Sequence, residues 1–150
     1  MELLRSRVPG ISIFADVIAG FPTETEEDFN ATYAFIQSVR LSGLHVFSYS
    51  PRPGTKAALL PQLSHEEIKR RADSLRALDK QLRADFASSL AGSRQEVFIE
   101  SCYEGQVKGV TSNFQQVVLS GVPAGTKGLV TAEIERAQDG LCYGRYLEHL

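Results

Sequence analysis

The stretch ISIFADVIAGFPTETEED, residues 11–28, decides how this chain is read. Its first nine residues, 11–19, are apolar and rich in β-branched side chains, with Asp16 as the one charge. That is the composition of a buried strand. Gly20-Phe21-Pro22 breaks it: glycine permits a close approach of backbone or ligand, and proline stiffens the turn. The run 23–28, TETEED, is a helix start. A threonine hydroxyl accepts from the free backbone N–H groups, and the carboxylates sit at the positive end of the helix dipole.

Outward from there, Phe29, Tyr33, Ile36 and Val39 form a helical apolar stripe, with Gly43 as its stop. Residues 44–49, LHVFSY, read as the next strand, with His45 in the core or at its rim and Phe47 and Tyr49 facing one way together, as core side chains rather than a stacking platform. SPRPG at 50–54 is a stiff loop. Strand, helix, strand makes a βαβ unit and a parallel sheet with both faces covered. Ligands in such folds sit at the C-terminal ends of the strands. Residues 16–25 therefore read either as a ligand loop or as a tight turn before a capped helix. Arg52, fixed between two prolines, suits a phosphate or carboxylate, or a structural pairing with an acidic neighbour.

Residues 61–92 read as one long linking helix. Ser64 with Glu67 predicts a capping box, Ile68, Leu75, Leu78, Leu82, Phe86 and Leu90 form the buried stripe, and Gly92 closes it. Lys69, Arg70, Arg71, Arg76, Lys80 and Arg83, mixed with acids, read as a solvated face, or alternatively as a side that meets a phosphate backbone.

From residue 93 the pattern changes. Strand candidates at 96–101, 105–111, 115–119, 128–135 and 140–146 are separated by turns at Glu104-Gly105, Ser120-Gly121, Ala124-Gly125 and Asp139-Gly140. Short strands at this spacing predict a small all-β, OB-like barrel. Lys108, Asn113 and Phe114 combine a cation, an amide and an aromatic. They read as an RNA contact by stacking and phosphate pairing, or as a polar hairpin with one packed Phe.

The 150 residues carry a net charge of −2, and residues 93–150 hold five Lys/Arg against seven Asp/Glu, so any nucleic-acid contact has to be local. No apolar run suits a membrane span, and the start is unlike a signal peptide. Cys102 and Cys142 are the two cysteines, with no CxxC spacing, and read as reduced thiols in a cytoplasmic protein.

DVIAGFPTETEEDF (residues 16–29) followed by LHVFSYSPRPGTKAA (44–58) resembles the late barrel of the radical-SAM tRNA methylthiotransferases, and GVTSNFQQVVL (109–119) resembles the TRAM domain that ends them. Nearly the whole chain is covered. The resemblance implies an α/β fragment, the last βαβ of a radical-SAM partial TIM barrel (1–60), then the linking helix (61–92), then a TRAM-like β-barrel (93–150).

It further implies an enzyme that adds a 2-methylthio group to N6-threonylcarbamoyladenosine at position 37 of tRNA. That enzyme uses S-adenosylmethionine and [4Fe–4S] clusters. Asp16, Ile18, Gly20, Phe21 and Pro22 would be part of the S-adenosylmethionine pocket wall. Arg52, Lys108, Asn113 and Phe114 would meet the tRNA, and no DNA or membrane partner is expected. Leu44-His45-Val46-Phe47 points to the threonylcarbamoyl branch, while the isopentenyladenosine branch shares the SPRPGT loop. Arg52 argues against the branch that modifies a ribosomal protein.

The chain departs from the pattern in having no CxxxCxxC. It is expected to be inactive without the missing N-terminal part, as a truncated product or one half of a split enzyme. The alternative of another class is a stand-alone TRAM-like RNA-binding module.

Overall fold

The computed structural model describes residues 1–103 and 106–150. The expected turn at Glu104-Gly105, and the first residue of the strand expected from 105, lie outside them. The chain forms two compact units, one of residues 13–82 and one of residues 1–12 with 83–150. Among the described residues no helix is long and apolar enough to cross a membrane.

In the first unit, β1 (Phe14–Ala19) and β2 (Gly43–Ser48) pair in parallel around α2 (Glu26–Val39), the βαβ order the sequence predicts. Thr25 caps α2: its hydroxyl accepts from Asp28 N–H at 3.1 Å, and Asp28 reaches back to Thr25 N–H at 3.0 Å. Such a cap stabilises a helix by about 1 kcal/mol. The helix ends three residues before the expected Gly43. Arg40 adopts the left-handed conformation at φ 49°, and Gly43 instead opens β2. The register places Ala15 beside Leu44 and Val17 beside Val46, and this face packs on Phe29, Ile36, Leu75 and Leu78.

The other sheet face differs from the buried one expected. Ile18 and Phe47 stand side by side, each 53% exposed, and His45 stacks on Phe14 with ring centroids 5.8 Å apart. Phe47 is thus not core, because two strands and two helices supply only one layer to cover the sheet.

α3 (His65–Ser89) begins at Ser64, whose hydroxyl accepts from Glu67 N–H at 3.1 Å. The returning half of the expected capping box is replaced: the Glu67 carboxylate takes Arg70 and Arg71. The buried stripe is Ala72, Leu75, Leu78 and Leu82 in the first unit, and Ala87 and Leu90 in the second.

The second unit holds α1 (Glu2–Arg7) and a closed barrel of β3 (Arg94–Tyr103), β4 (Gln106–Thr111), β5 (Gln116–Ser120), β6 (Gly128–Gln138) and β7 (Leu141–His149). The order around it is β3-β4-β5-β7-β6; β5 and β7 run parallel and the other pairs antiparallel. Five strands closed in this way are compatible with a small OB-like barrel. Val97, Val117, Val130, Ile134 and Cys142 fill it. Asp139 at φ 51° and Gly140 at φ 79° form a two-residue hairpin turn of the mirror-image kind that matches strand twist.

Candidate functional site

In the first unit, the C-terminal ends of β1 and β2 open on a cavity of about 560 Å³, lined among others by Asp16, Ile18, Phe47, Tyr49, Arg52 and Thr55. It offers one carboxylate, one guanidinium, hydroxyls and an apolar floor. The Arg52 backbone is held from both sides of the loop. Its carbonyl accepts from Thr55 N–H at 3.2 Å and from the Thr55 hydroxyl at 2.9 Å, and prolines flank it. Among the described residues the Arg52 side chain has no acidic partner, so its charge is available to a ligand.

Of the five residues expected as a pocket wall, Asp16 and Ile18 line this cavity. Phe21 is 45% exposed and meets the Tyr49 ring edge-on at 5.5 Å. Pro22 is fully buried. Gly20, at φ 75°, is buried where a Cβ would lie 2.7 Å from Ile68 Cγ1, so only glycine fits between loop and helix.

The loop after β1 is tied down by a charge network that the sequence does not reveal. Gly20 N–H donates to Glu24 Oε2 at 3.1 Å. Arg71 Nη1 donates to the same carboxylate at 2.6 Å and to the Glu24 carbonyl at 2.9 Å, while its Nε donates to Glu67 at 2.6 Å. Arg70 bridges Glu67 and Glu26 on the exposed side. The Arg70 and Arg71 guanidinium groups hold the Glu67 carboxyl down at about 2. Arg71 is therefore not part of a solvated face; it is 4% exposed, and a guanidinium this buried has to be partnered. Thr23, at φ 71°, is a β-branched residue in the left-handed region, a strained position in the same loop. A Glu four residues after the glycine and an Arg on the helix at apolar spacing were the only available signals.

In the second unit, Lys108 is exposed on the outer face of β4 and has no ion-pair partner among the described residues. Phe114 is not packed: it is 78% exposed at the β4–β5 turn, with φ 62°. Its backbone is locked by Phe114 N–H to Thr111 O, and by Gln115 N–H to the Thr111 hydroxyl, both 2.9 Å. Asn113 is largely engaged. Its amide donates to Gly10 O at 3.0 Å and its carbonyl accepts from Thr111. A cavity of about 310 Å³ adjoins this turn, lined by Gly10, Ser12, Gln95, Asn113 and Phe114 among others. Across the barrel face the register runs Lys108, Val118, Tyr143, Arg136, and the Arg136 guanidinium lies 3.7 Å over the Tyr143 ring. Arg136 and Tyr143 were missed because their juxtaposition depends on strands of separate pairings.

A βαβ unit with a polar cavity at its strand ends, joined by a long helix to a small closed barrel with an exposed cation and aromatic, defines an α/β protein with a β-barrel module. No family model matches the chain. It is 40% identical over 122 residues to a tRNA-2-methylthio-N(6)-dimethylallyladenosine synthase of Endomicrobium trichonymphae, covering 81% of this chain and 29% of that protein. It is 37% identical over 143 residues to the threonylcarbamoyladenosine tRNA methylthiotransferase MtaB of Bacillus subtilis, covering 91% and 32%. The threonylcarbamoyladenosine tRNA methylthiotransferase of Danio rerio is 34% identical over 149 residues, covering 99% and 27%. The chain belongs to the tRNA methylthiotransferase family, and it spans about a third of the length of these relatives.

Proposed function

We propose that the chain is the C-terminal part of an enzyme that adds a 2-methylthio group to N6-threonylcarbamoyladenosine at position 37 of tRNA. Homology to tRNA methylthiotransferases over 81–99% of the chain supports the methylthio transfer to tRNA, and Leu44-His45-Val46-Phe47 favours the threonylcarbamoyl target. In this reading residues 1–60 are the end of a radical-SAM barrel, 61–92 the linking helix and 93–150 a TRAM-like module that holds tRNA. The exposed sheet face of Ile18 and Phe47 is then the surface that the rest of the barrel covers.

Among the implied cofactors, S-adenosylmethionine suits the residues present. The cavity at the strand ends pairs the Asp16 carboxylate and Tyr49 with the apolar Ile18, as an amphipathic nucleoside requires. The cofactor would supply a radical-generating sulfonium. An iron–sulfur cluster does not suit them: Cys142 is buried in the barrel core, Cys102 is exposed on another strand, and no group of three ligating side chains occurs among the described residues. Cluster ligands would come from the N-terminal part, and this chain alone would be inactive.

Forty per cent identity to a dimethylallyladenosine synthase favours a second reading, in which the target is the isopentenylated nucleoside. Co-expression with the upstream part of such an enzyme, followed by mass spectrometry of tRNA nucleosides, separates the two. The methylthiolated threonylcarbamoyladenosine is expected. The isopentenyl product would move the chain to the other branch, and neither product would leave the stand-alone RNA-binding module.

A further inference from the structure

The outer face of β4, β5, β7 and β6 carries one row of side chains in register: Lys108, Val118, Tyr143 and Arg136. Buried residues flank the first three on both sides along their strands, so the row points away from the barrel core. Strands about 4.8 Å apart set the two terminal cations about 14 Å apart along the barrel surface.

This row is locally positive on a barrel whose residues 93–150 hold seven acids against five cations. Glu133 and Glu135 are taken up by Arg145, at 2.8 and 3.6 Å. Glu96 and Glu100 lie on β3, outside this face, and Glu148 lies at the far end of β7. Lys108 and Arg136 have no ion-pair partner among the described residues, so both charges are open to a polyanion.

Arg136 is also held in place. Its guanidinium lies 3.7 Å over the Tyr143 ring, in van der Waals contact, and its Nη1 donates to Gln138 Oε1 at 3.3 Å. The ring covers one face of the guanidinium, and the exposed side chain leaves the other face to solvent. A planar cation ordered in advance is a platform on which an unpaired base stacks at reduced entropic cost. The Phe114 turn adjoins the same end of this face. Gln115 Nε2 donates to Gly140 O at 2.8 Å, which sets the β4–β5 and β6–β7 turns side by side.

We propose that this row binds an unpaired stretch of RNA, with a phosphate on Lys108 and one base stacked on the Arg136 guanidinium that Tyr143 backs. The inference rests on the RNA reading above and gives the module a binding face and a single-stranded ligand.

The test is fluorescence anisotropy of the 150-residue chain with an unmodified anticodon stem-loop RNA over a range of salt. Lys108→Gln is expected to flatten the slope of log affinity against log salt by about 0.7, the loss of one single-strand phosphate contact. Arg136→Lys keeps the charge and removes the planar group. It is expected to weaken binding about fivefold with the slope unchanged. Lys127→Gln, in the loop before β6 and outside the row, should change neither. All three side chains are exposed, so the substitutions leave the barrel core intact, which hydrogen exchange checks.

Wild-type affinity in Arg136→Lys overturns the stacking site, as does equal affinity for a duplex of the same stem without unpaired nucleotides. An unchanged slope in Lys108→Gln, or the same flattening in Lys127→Gln, overturns the row as the place where phosphate is met. If Phe114→Ala then still weakens binding, the RNA reading stands on the turn without the row. An unaltered chain that binds no stem-loop overturns both.

Discussion

Arg71 and Glu24, 47 positions apart in sequence, meet at 2.6 Å with 5% and 14% of their side chains exposed. The same Glu24 carboxylate accepts from Gly20 N–H, so α3 holds the loop that follows β1. Removing one partner leaves the other charge poorly solvated. Arg71→Ala is expected to destabilise residues 13–82 by about 3 kcal/mol. The double variant Arg71→Met with Glu24→Gln should lose less than the two singles together. Hydrogen exchange in α3 and β1 during urea unfolding measures both, and strictly additive losses would contradict the coupling.

Glu67 predicts an acid dependence with a definite sign. Its carboxyl is held at about 2 in the folded chain, against 4.5 ordinarily. A lowered folded value means its contribution is present above pH ~4.5 and disappears as pH falls toward 2. Asp28, lowered by its bonds to Thr25, acts in the same direction. Urea midpoints between pH 7 and pH 2.5 should fall for the unaltered chain. They should fall less for Glu67→Gln, which starts lower at pH 7.

Two positive-φ positions in one loop predict opposite outcomes. Thr23→Gly relieves a β-branched residue at φ 71° and is expected to stabilise by about 1 kcal/mol. Gly20→Ala adds a Cβ 2.7 Å from Ile68 on a left-handed backbone and is expected to destabilise by more than about 1 kcal/mol. Ile68→Ala should recover part of that loss by removing the clash. Thermal melts of the three variants decide it.

The two cysteines should separate cleanly under a thiol reagent. Cys142 is fully buried beside Ala87 O, and burial pushes its thiol up to about 11. Cys102 is exposed. Mass spectrometry after brief maleimide treatment should find one label, on Cys102, until the chain is denatured. A labelled Cys142 under native conditions would mean the barrel opens.

Limited proteolysis should cut residues 13–60 before 93–150. The barrel closes on itself and has no free edge, whereas β1 and β2 leave Ile18 and Phe47 uncovered. A protected fragment confined to the N-terminal half would contradict this.

Several features were legible from sequence alone. Alternating apolar runs, TETEED before a helical stripe and Asp139-Gly140 between two strands are local signals, set by caps, periodicity and turn chemistry. They placed the βαβ unit, α3 and the five barrel strands to within a few residues. The two loop motifs carried the family, which the relatives establish. What the sequence could not determine depends on atoms brought together from far apart. Arg71 read as one more surface cation until Glu24 stood against it. Phe47 read as core until the sheet proved to be covered on one side. Phe114 read either as packed or as a contact residue until the turn between Thr111 and Gln115 left it in solvent. Burial and charge pairing are properties of the packed chain, and a linear pattern specifies which side chains share a face without specifying what lies across from it.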